Sequence, residues 1–333
     1  MEIMLLRIFF LISLSINNIF GSHISTIIFQ EHFDQCGIMS ESAGLIQGGY
    51  FSKQDQFPWI AIISIKNESN SLWDQNGAGS LISRRHVLVK SRYVATLDKN
   101  EQYVPKSVEN IQIFLGTTKY NNLSQEGSIK IGISKIRLYP HTRKVARGFS
   151  VFNFAILTLE DDVTFNDFIK PVCLWNNQLN SRMYTGQQLM AVGYGRDLTG
   201  RISKIRKHVP VQVTSSDECE TEYIDLLPQI KESRFFCIKE IVKDHGPCKF
   251  DTQLYVKIDS TWYLKGEMIA ARTDINTLQC YTKFPVAVED ISPYVDWIDQ
   301  EIKTELIEIY VSDQKDGAIE VIDVEKIVKY QIE

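Results

Sequence analysis

This chain has no basic stripe. Its 333 residues carry 36 Lys and Arg against 41 Asp and Glu, a formal charge of −5, and no clustered run of Lys/Arg. That pattern argues against nucleic acid and against an anionic membrane surface as partners. Beyond the first 22 residues, no stretch approaches the length of a membrane span. No two cysteines have the C-x-x-C spacing of a zinc site, so neither a metal nor any other cofactor is expected. The body of the chain has little helical periodicity and no repeat of the solenoid kind. What is present is ordinary for a globular protein: 44% hydrophobic and 23% charged residues, and enough length for one large domain or two small ones.

The first 22 residues, MEIMLLRIFFLISLSINNIFGS, read as a secretory signal: an apolar core from Ile3 to Ile16, then small residues at Gly21 and Ser22. A membrane anchor is the alternative, which Arg7 and the polar Asn17–Asn18 disfavour. The six cysteines, Cys36, Cys173, Cys219, Cys237, Cys248 and Cys280, then favour disulfides in an oxidising compartment, with about 15 pairings open. Asn67-Glu68-Ser69 and Asn122-Leu123-Ser124 are glycan acceptor sequons on such an exported chain.

Short β-branched or alternating runs follow one another between turn residues: WIAIISI, IQIFLG, IKIGISKIRLY, FAILTL, QQLMAVGYG, KHVPVQVTS, QLYVKI and WYLKGEMIA. Many short strands without intervening helical patterns point to an all-β sandwich or barrel. One helix is signalled near the end. Ser292 is placed to cap it and Pro293 fits its first turn. Tyr294, Val295, Ile298 and Ile302 form an apolar stripe with Trp297 beside it. The final segment, 304–333, holds eight acidic and three basic residues, so it accounts for the whole net charge. There LIEIYV and AIEVIDV flank SDQKDG, which reads either as a hairpin or as a solvated tail.

Five separated pieces, taken in order, resemble the chymotrypsin/trypsin-like serine proteases, especially secreted insect members, from about Cys36 to Lys303. LIQGGYFSKQDQFPWIAII resembles the activation site and first strand. GSLISRRHVLVKSRYV resembles the segment that ends in Thr-Ala-Ala-His-Cys. FNFAILTLEDDVTFNDFIKPVCLW resembles the Asp-Ile-Ala-Leu-Leu segment and its Pro-Val-Cys-Leu sequel. AVGYGR resembles the Gly-Trp-Gly motif, and PCKFDTQLYVKIDSTWYLKGEM the surroundings of Gly-Asp-Ser-Gly-Gly. The resemblance implies two six-stranded antiparallel β-barrels and a C-terminal helix. It divides the chain into a signal (1–22), a propeptide-like segment (23–45), a protease-like domain (46–303) and an acidic extension (304–333). It also implies the disulfides Cys36–Cys173, Cys219–Cys237 and Cys248–Cys280. The family's histidine-loop disulfide is missing, with Gly77 and Tyr93 at its two positions.

The same resemblance locates a degenerate catalytic triad. Arg92 stands at the histidine position, and a guanidinium stays protonated and cannot act as a base. Asn153 stands at the aspartate position, where losing the charge costs the family about 10⁴ in rate. Thr252 stands at the serine position with no base to activate its hydroxyl. Phe250 replaces an oxyanion-hole glycine, and Gly246 falls at the base of the specificity pocket. Loss of one triad member alone costs on the order of 10⁶ in turnover. Of the other histidines, His86 reads as a packing residue, His141 and His208 carry no assigned role, and His245 lies in the loop before Cys248. No basic residue lies between Cys36 and Ile46, so the family's usual activation cut is absent there. Asp251, which in the family receives the freed N-terminal amine of the residue at Ile46, is retained. Segment 23–45 holds the single cysteine Cys36, so no clip-type domain is read in it.

The expectation is therefore a secreted, non-catalytic serine protease homologue that binds an extracellular protein, an active serine protease or an inhibitor among them, in a proteolytic cascade. Two alternatives stay open: a weak or altered endopeptidase that uses Thr252, and an extracellular glycoprotein without a specific enzymatic partner.

Overall fold

The structure, a computed structural model, describes residues 36–39, 50–67, 71–119, 123–146, 149–151, 153–194, 203–225, 234–241, 252–272 and 283–314. At 50, 75–76, 145–146, 149–151 and 306–314 it describes the backbone alone. The chain divides into two compact units. One is Cys36–Trp297. The other comprises Met1–Gln35 and Ile298–Glu333, and its described part is helical.

Cys36–Trp297 contains two barrels of the same topology. The first is built from β1 (Ile60–Lys66), β2 (Trp73–Leu81), β3 (His86–Lys90), β4 (Ile111–Leu115), β5 (Ile129–Leu138) and β6 (Phe154–Leu159). They pair antiparallel in the closed order β6-β3-β2-β1-β4-β5. The second is built from β7 (Gln188–Gly193), β8 (Lys207–Val213), β9 (Phe235–Glu240), β10 (Gln253–Ile258), β11 (Thr261–Ala270) and β12 (Val286–Asp290). They pair antiparallel in the order β12-β9-β8-β7-β10-β11, and β11 returns to β12. Strand for strand, this repeats the connectivity of the first barrel. Each of the expected strand runs is a strand here, as β-branched and aromatic residues on a pleated, buried surface require.

Burial separates inner from outer walls. In β3 and β6 every residue is buried, so both pleat faces are covered. In β5 only Ile133 and Ile136 are buried, and its polar residues face outward. Where the barrels meet, Phe57 and Trp59 from the lead into β1 pack on Tyr255 of β10 and Trp262 of β11. Their ring centroids lie 5.5–6.5 Å apart. All four rings are buried, and such pairs contribute about 0.5–1.5 kcal/mol each beyond area burial.

Two expectations about the C-terminal helix change. A 3₁₀ turn, Ser292–Tyr294, leads into a helix at Val295–Gln314, with Pro293 in the first turn as expected. Ser292 is not the capping acceptor. Its own N–H donates to Asp290 Oδ1 at 3.0 Å, and its hydroxyl also bonds Asp290. Asp290 is a buried carboxylate, and a charged acceptor outcompetes a hydroxyl for these donors. The helix also takes in 306–311, the LIEIYV run, which is therefore not an arm of a hairpin. Extending an existing helix needs no new nucleus, whereas a hairpin needs a turn and a partner strand. The AIEVIDV run lies outside the described residues.

Candidate functional site

Strand β3 ends at Lys90 and the chain turns directly into a four-residue helix, α1 (Ser91–Val94). No side chain at its own N-terminus caps it. Asn153, at the entry to β6, does this from the neighbouring strand. Its backbone carbonyl accepts the Ser91 N–H at 3.0 Å, and its Oδ1 accepts the Arg92 N–H at 3.2 Å. Two of the helix's otherwise unpaired donors are satisfied in this way. Asn153 is buried, while Arg92 is half-buried with its guanidinium 5.4 Å from the centroid of the Tyr93 ring. The structure thus brings Arg92 and Asn153 together through the backbone of one and the side chain of the other.

Thr252 precedes β10 and is 4% exposed. Its carbonyl accepts the Met268 N–H at 3.0 Å, and the Met268 carbonyl accepts a hydrogen bond from Lys90 Nζ. Met268 on β11 therefore joins the residue before α1 to the threonine position.

The side chains around this junction form a buried polar path from barrel to barrel and back. The Ser80 hydroxyl of β2 lies 2.7 Å from the Tyr255 hydroxyl of β10. Tyr255 donates to Gln253 Oε1 at 3.1 Å, which leaves Ser80 as the donor to Tyr255. Gln253 Nε2 donates to Glu267 Oε1 at 3.4 Å, and Glu267 Oε2 lies 3.7 Å from Lys90 Nζ. Every one of these five side chains is 2% exposed or less. Burial pushes the Glu267 carboxyl up to about 7, while Lys90, Gln253 and Arg92 favour its charged form and Glu289 opposes it. Burial likewise pushes the Tyr255 hydroxyl up, so it stays a neutral donor.

A family model described as Trypsin matches residues 46–252. The chain belongs to the trypsin family. Among curated proteins it is 23% identical over 275 residues to Serine protease gd of Drosophila melanogaster, covering 73% of this chain and 50% of that protein. It is 24% identical over 279 residues to CLIP domain-containing serine protease B9 of Anopheles gambiae, covering 81% and 66%. It is 25% identical over 287 residues to Phenoloxidase-activating factor 1 of Holotrichia diomphalia, covering 81% and 73%. The chain thus spans half the length of the first of these relatives and about two thirds of the second.

The remaining trypsin-family expectations divide between those the described residues reach and those they do not. Cys36–Cys173 and Cys219–Cys237 are formed, with Cα atoms 4.9 and 5.4 Å apart. The Tyr93 ring packs on Gly77 at the two positions without cysteine. Asn67 directly follows β1, its Nδ2 donating to Asp74 Oδ2 at 3.4 Å. His86 is buried with Nδ1 2.7 Å from the Ser83 hydroxyl, and His208 is buried with Nδ1 3.0 Å from the Ser52 hydroxyl. His141 packs on Tyr139. Ile46, Asn122, His245, Gly246, Phe250, Asp251, Cys248 and Cys280 lie outside the described residues. Among the described residues no group of His, Cys, Asp and Glu is arranged to hold a metal, and no helix is long and apolar enough to cross a membrane.

Lys90, Gln253 and Glu267 did not stand out in the sequence reading. A signal for them exists. VLVK ends an apolar run in a lysine, and WYLKGEMIA carries Lys265 and Glu267 within an apolar strand. Charges so placed must be buried, and buried charges need partners.

Proposed function

We propose that this trypsin-family chain is a secreted protease homologue that does not cleave peptides and acts by binding an extracellular protein, a serine protease or its inhibitor, in a proteolytic cascade. The observation that carries this reading is Arg92 on α1, held by Asn153 at the helix start. If Arg92 stands at the general-base position, that position holds a group that cannot accept a proton. Asn153 spends its side-chain oxygen on the backbone of Arg92, which is a structural use of that position. Near-complete burial of Thr252 and the Lys90–Glu267 pair beside it also support this reading, since a nucleophile must reach its substrate. The two formed disulfides support an oxidising compartment. The names of relatives, clip-domain proteases and phenoloxidase-activating factors, suggest the kind of cascade.

Purified protein treated with a fluorophosphonate probe is expected to stay unlabelled. Affinity capture from body fluid with mass spectrometry is expected to return a defined protease or inhibitor. Stoichiometric labelling at Thr252 would instead establish an altered hydrolase.

A further inference from the structure

Met39 docks the stretch after Cys36 onto the junction of the two barrels. The Phe57 N–H donates to the Met39 thioether, with sulfur 3.4 Å from nitrogen. Phe57 sits where the barrels meet. It is 1% exposed, and its ring lies 5.4–6.1 Å, between centroids, from those of Trp59, His208, Tyr255 and Trp262. Its φ of 52° is one that a bulky residue rarely adopts, so its surroundings must hold it there. Its carbonyl is held by two donors, the Ile60 N–H at 3.1 Å and Arg206 Nη1 at 3.4 Å. On the amide side the thioether, a weak acceptor, does the holding. Met39 is half-buried, and two residues before it Gly37 bonds the Pro171 carbonyl and the Trp262 N–H.

We propose that Met39 is a reversible oxidation site: a peroxide converts its thioether to the sulfoxide, and the sulfoxide lets go of the Phe57 amide. The step is an oxygen transfer. The O–O bond of the peroxide breaks, one oxygen forms an S–O bond to Met39 Sδ, and its proton passes to the departing oxygen, which leaves as water or an alcohol. Sulfur is oxidised and the peroxide is reduced. Either lone pair of the sulfur gives the same result. An oxygen on the lone pair that meets the Phe57 N–H has no room in the contact, because an N–H···O bond by itself spans about 2.9 Å and the sulfur already stands 3.4 Å from the nitrogen. An oxygen on the other lone pair draws electrons from the sulfur and weakens it as an acceptor. A buried amide is then left without a partner, in a residue whose backbone conformation depends on being held. The Cys36–Cys173 disulfide and the Gly37 hydrogen bonds do not involve the thioether, so the change is confined to the Met39 contact. Met39 is half-buried and within reach of a small peroxide, whereas Met268 is 1% exposed and sealed from it. The inference stands whether or not the chain binds a protease.

The test treats the full chain with hydrogen peroxide, follows each methionine by peptide mass mapping, and measures amide exchange at Phe57. Met39 is expected to gain one oxygen while Met268 stays reduced. Protection at the Phe57 amide is expected to fall about tenfold or more with Met39 oxidation, as for a buried donor left unpaired. Methionine sulfoxide reductases are expected to restore both the mass and the protection. Met183→Leu, which removes another half-buried methionine, is expected to respond like the wild type. Met39→Leu keeps the bulk without the sulfur, so its Phe57 amide is expected to exchange fast before any peroxide is added and to change no further. The proposal is overturned if Met39 stays reduced while Met183 is fully oxidised. It is equally overturned if Phe57 protection is unchanged once Met39 is sulfoxide, or if peroxide lowers it in Met39→Leu as much as in the wild type. Should Met39→Leu fail to fold, wild-type samples oxidised to graded extents and then reduced carry the same comparison, because protection must track the Met39 sulfoxide fraction in both directions.

Discussion

The Tyr93 ring fills the space above Gly77. A Cβ built on Gly77 would lie 2.6 Å from Tyr93 Cε2, closer than side chains pack. Tyr93 is buried on α1, and Gly77 lies on β2 opposite Ile63 of β1. An aromatic ring against a bare backbone thus closes the gap between β2 and α1 by packing.

Gly77→Ala is therefore expected to destabilise the protein by about 1–3 kcal/mol through overpacking. In a Tyr93→Ala background the same substitution is expected to cost much less. Denaturant midpoints for the four proteins of this cycle measure the coupling. Equal costs in both backgrounds would mean that the ring does not set the requirement for glycine.

Asn153→Ala removes the acceptor for the Arg92 N–H, and a cost of about 1–2 kcal/mol is expected. Asn153→Asp keeps an acceptor in place and is expected to retain most of that stability. No peptide hydrolysis is expected to appear in the aspartate variant, because Arg92 still cannot take a proton. Thermal melts and a peptide-release assay check the two halves of this expectation.

The stability of the fold is expected to carry a proton-linked component from Glu267. Its folded-state carboxyl titrates at about 7 against an ordinary 4.5, so the folded chain holds more protons than the unfolded chain between those values. The contribution of this group is fully present below pH 4.5 and is lost as pH rises through about 7. In Glu267→Gln that segment of the stability–pH curve is expected to flatten, as read from unfolding midpoints between pH 5 and 8.

Cys36 and Cys173 are joined across 137 residues, and Gly37 adds backbone hydrogen bonds to Pro171 and Trp262. Gly37 has φ 70°, and a side chain there would strike the Trp262 carbonyl, so the tether sits tightly on the second barrel. A cut anywhere between Cys36 and Ile46 is expected to release the N-terminal piece only under reducing conditions, which paired gels show directly. Replacing both cysteines by serine is expected to cost about 2–5 kcal/mol.

The strands were legible in the sequence because their signals are local. Runs such as IAIISIK and FAILTL are β-branched and bounded by turns, and they form strands wherever they are placed. The end of the last helix was less legible. LIEIYV has strand composition, yet it continues a helix already begun at Val295, and Ser292 gave way to Asp290 as acceptor because Asp290 is a buried charge. Arg92, Asn153 and Thr252 were found through motif order, but the use made of Asn153 was not, because its partner is the backbone of a residue 61 positions away.

What the sequence determined by itself is an all-β chain of the trypsin family, with two of its expected disulfides, and the motif order that led to Arg92, Asn153 and Thr252. What only tertiary structure decided is how those positions are occupied: Tyr93 over Gly77, Asn153 on the start of α1, and Lys90 joined to Met268 across 178 residues. The physical reason is that strand propensity depends on near neighbours along the chain. The pairing of buried charges and the filling of a gap depend instead on which surfaces the closed barrels press together.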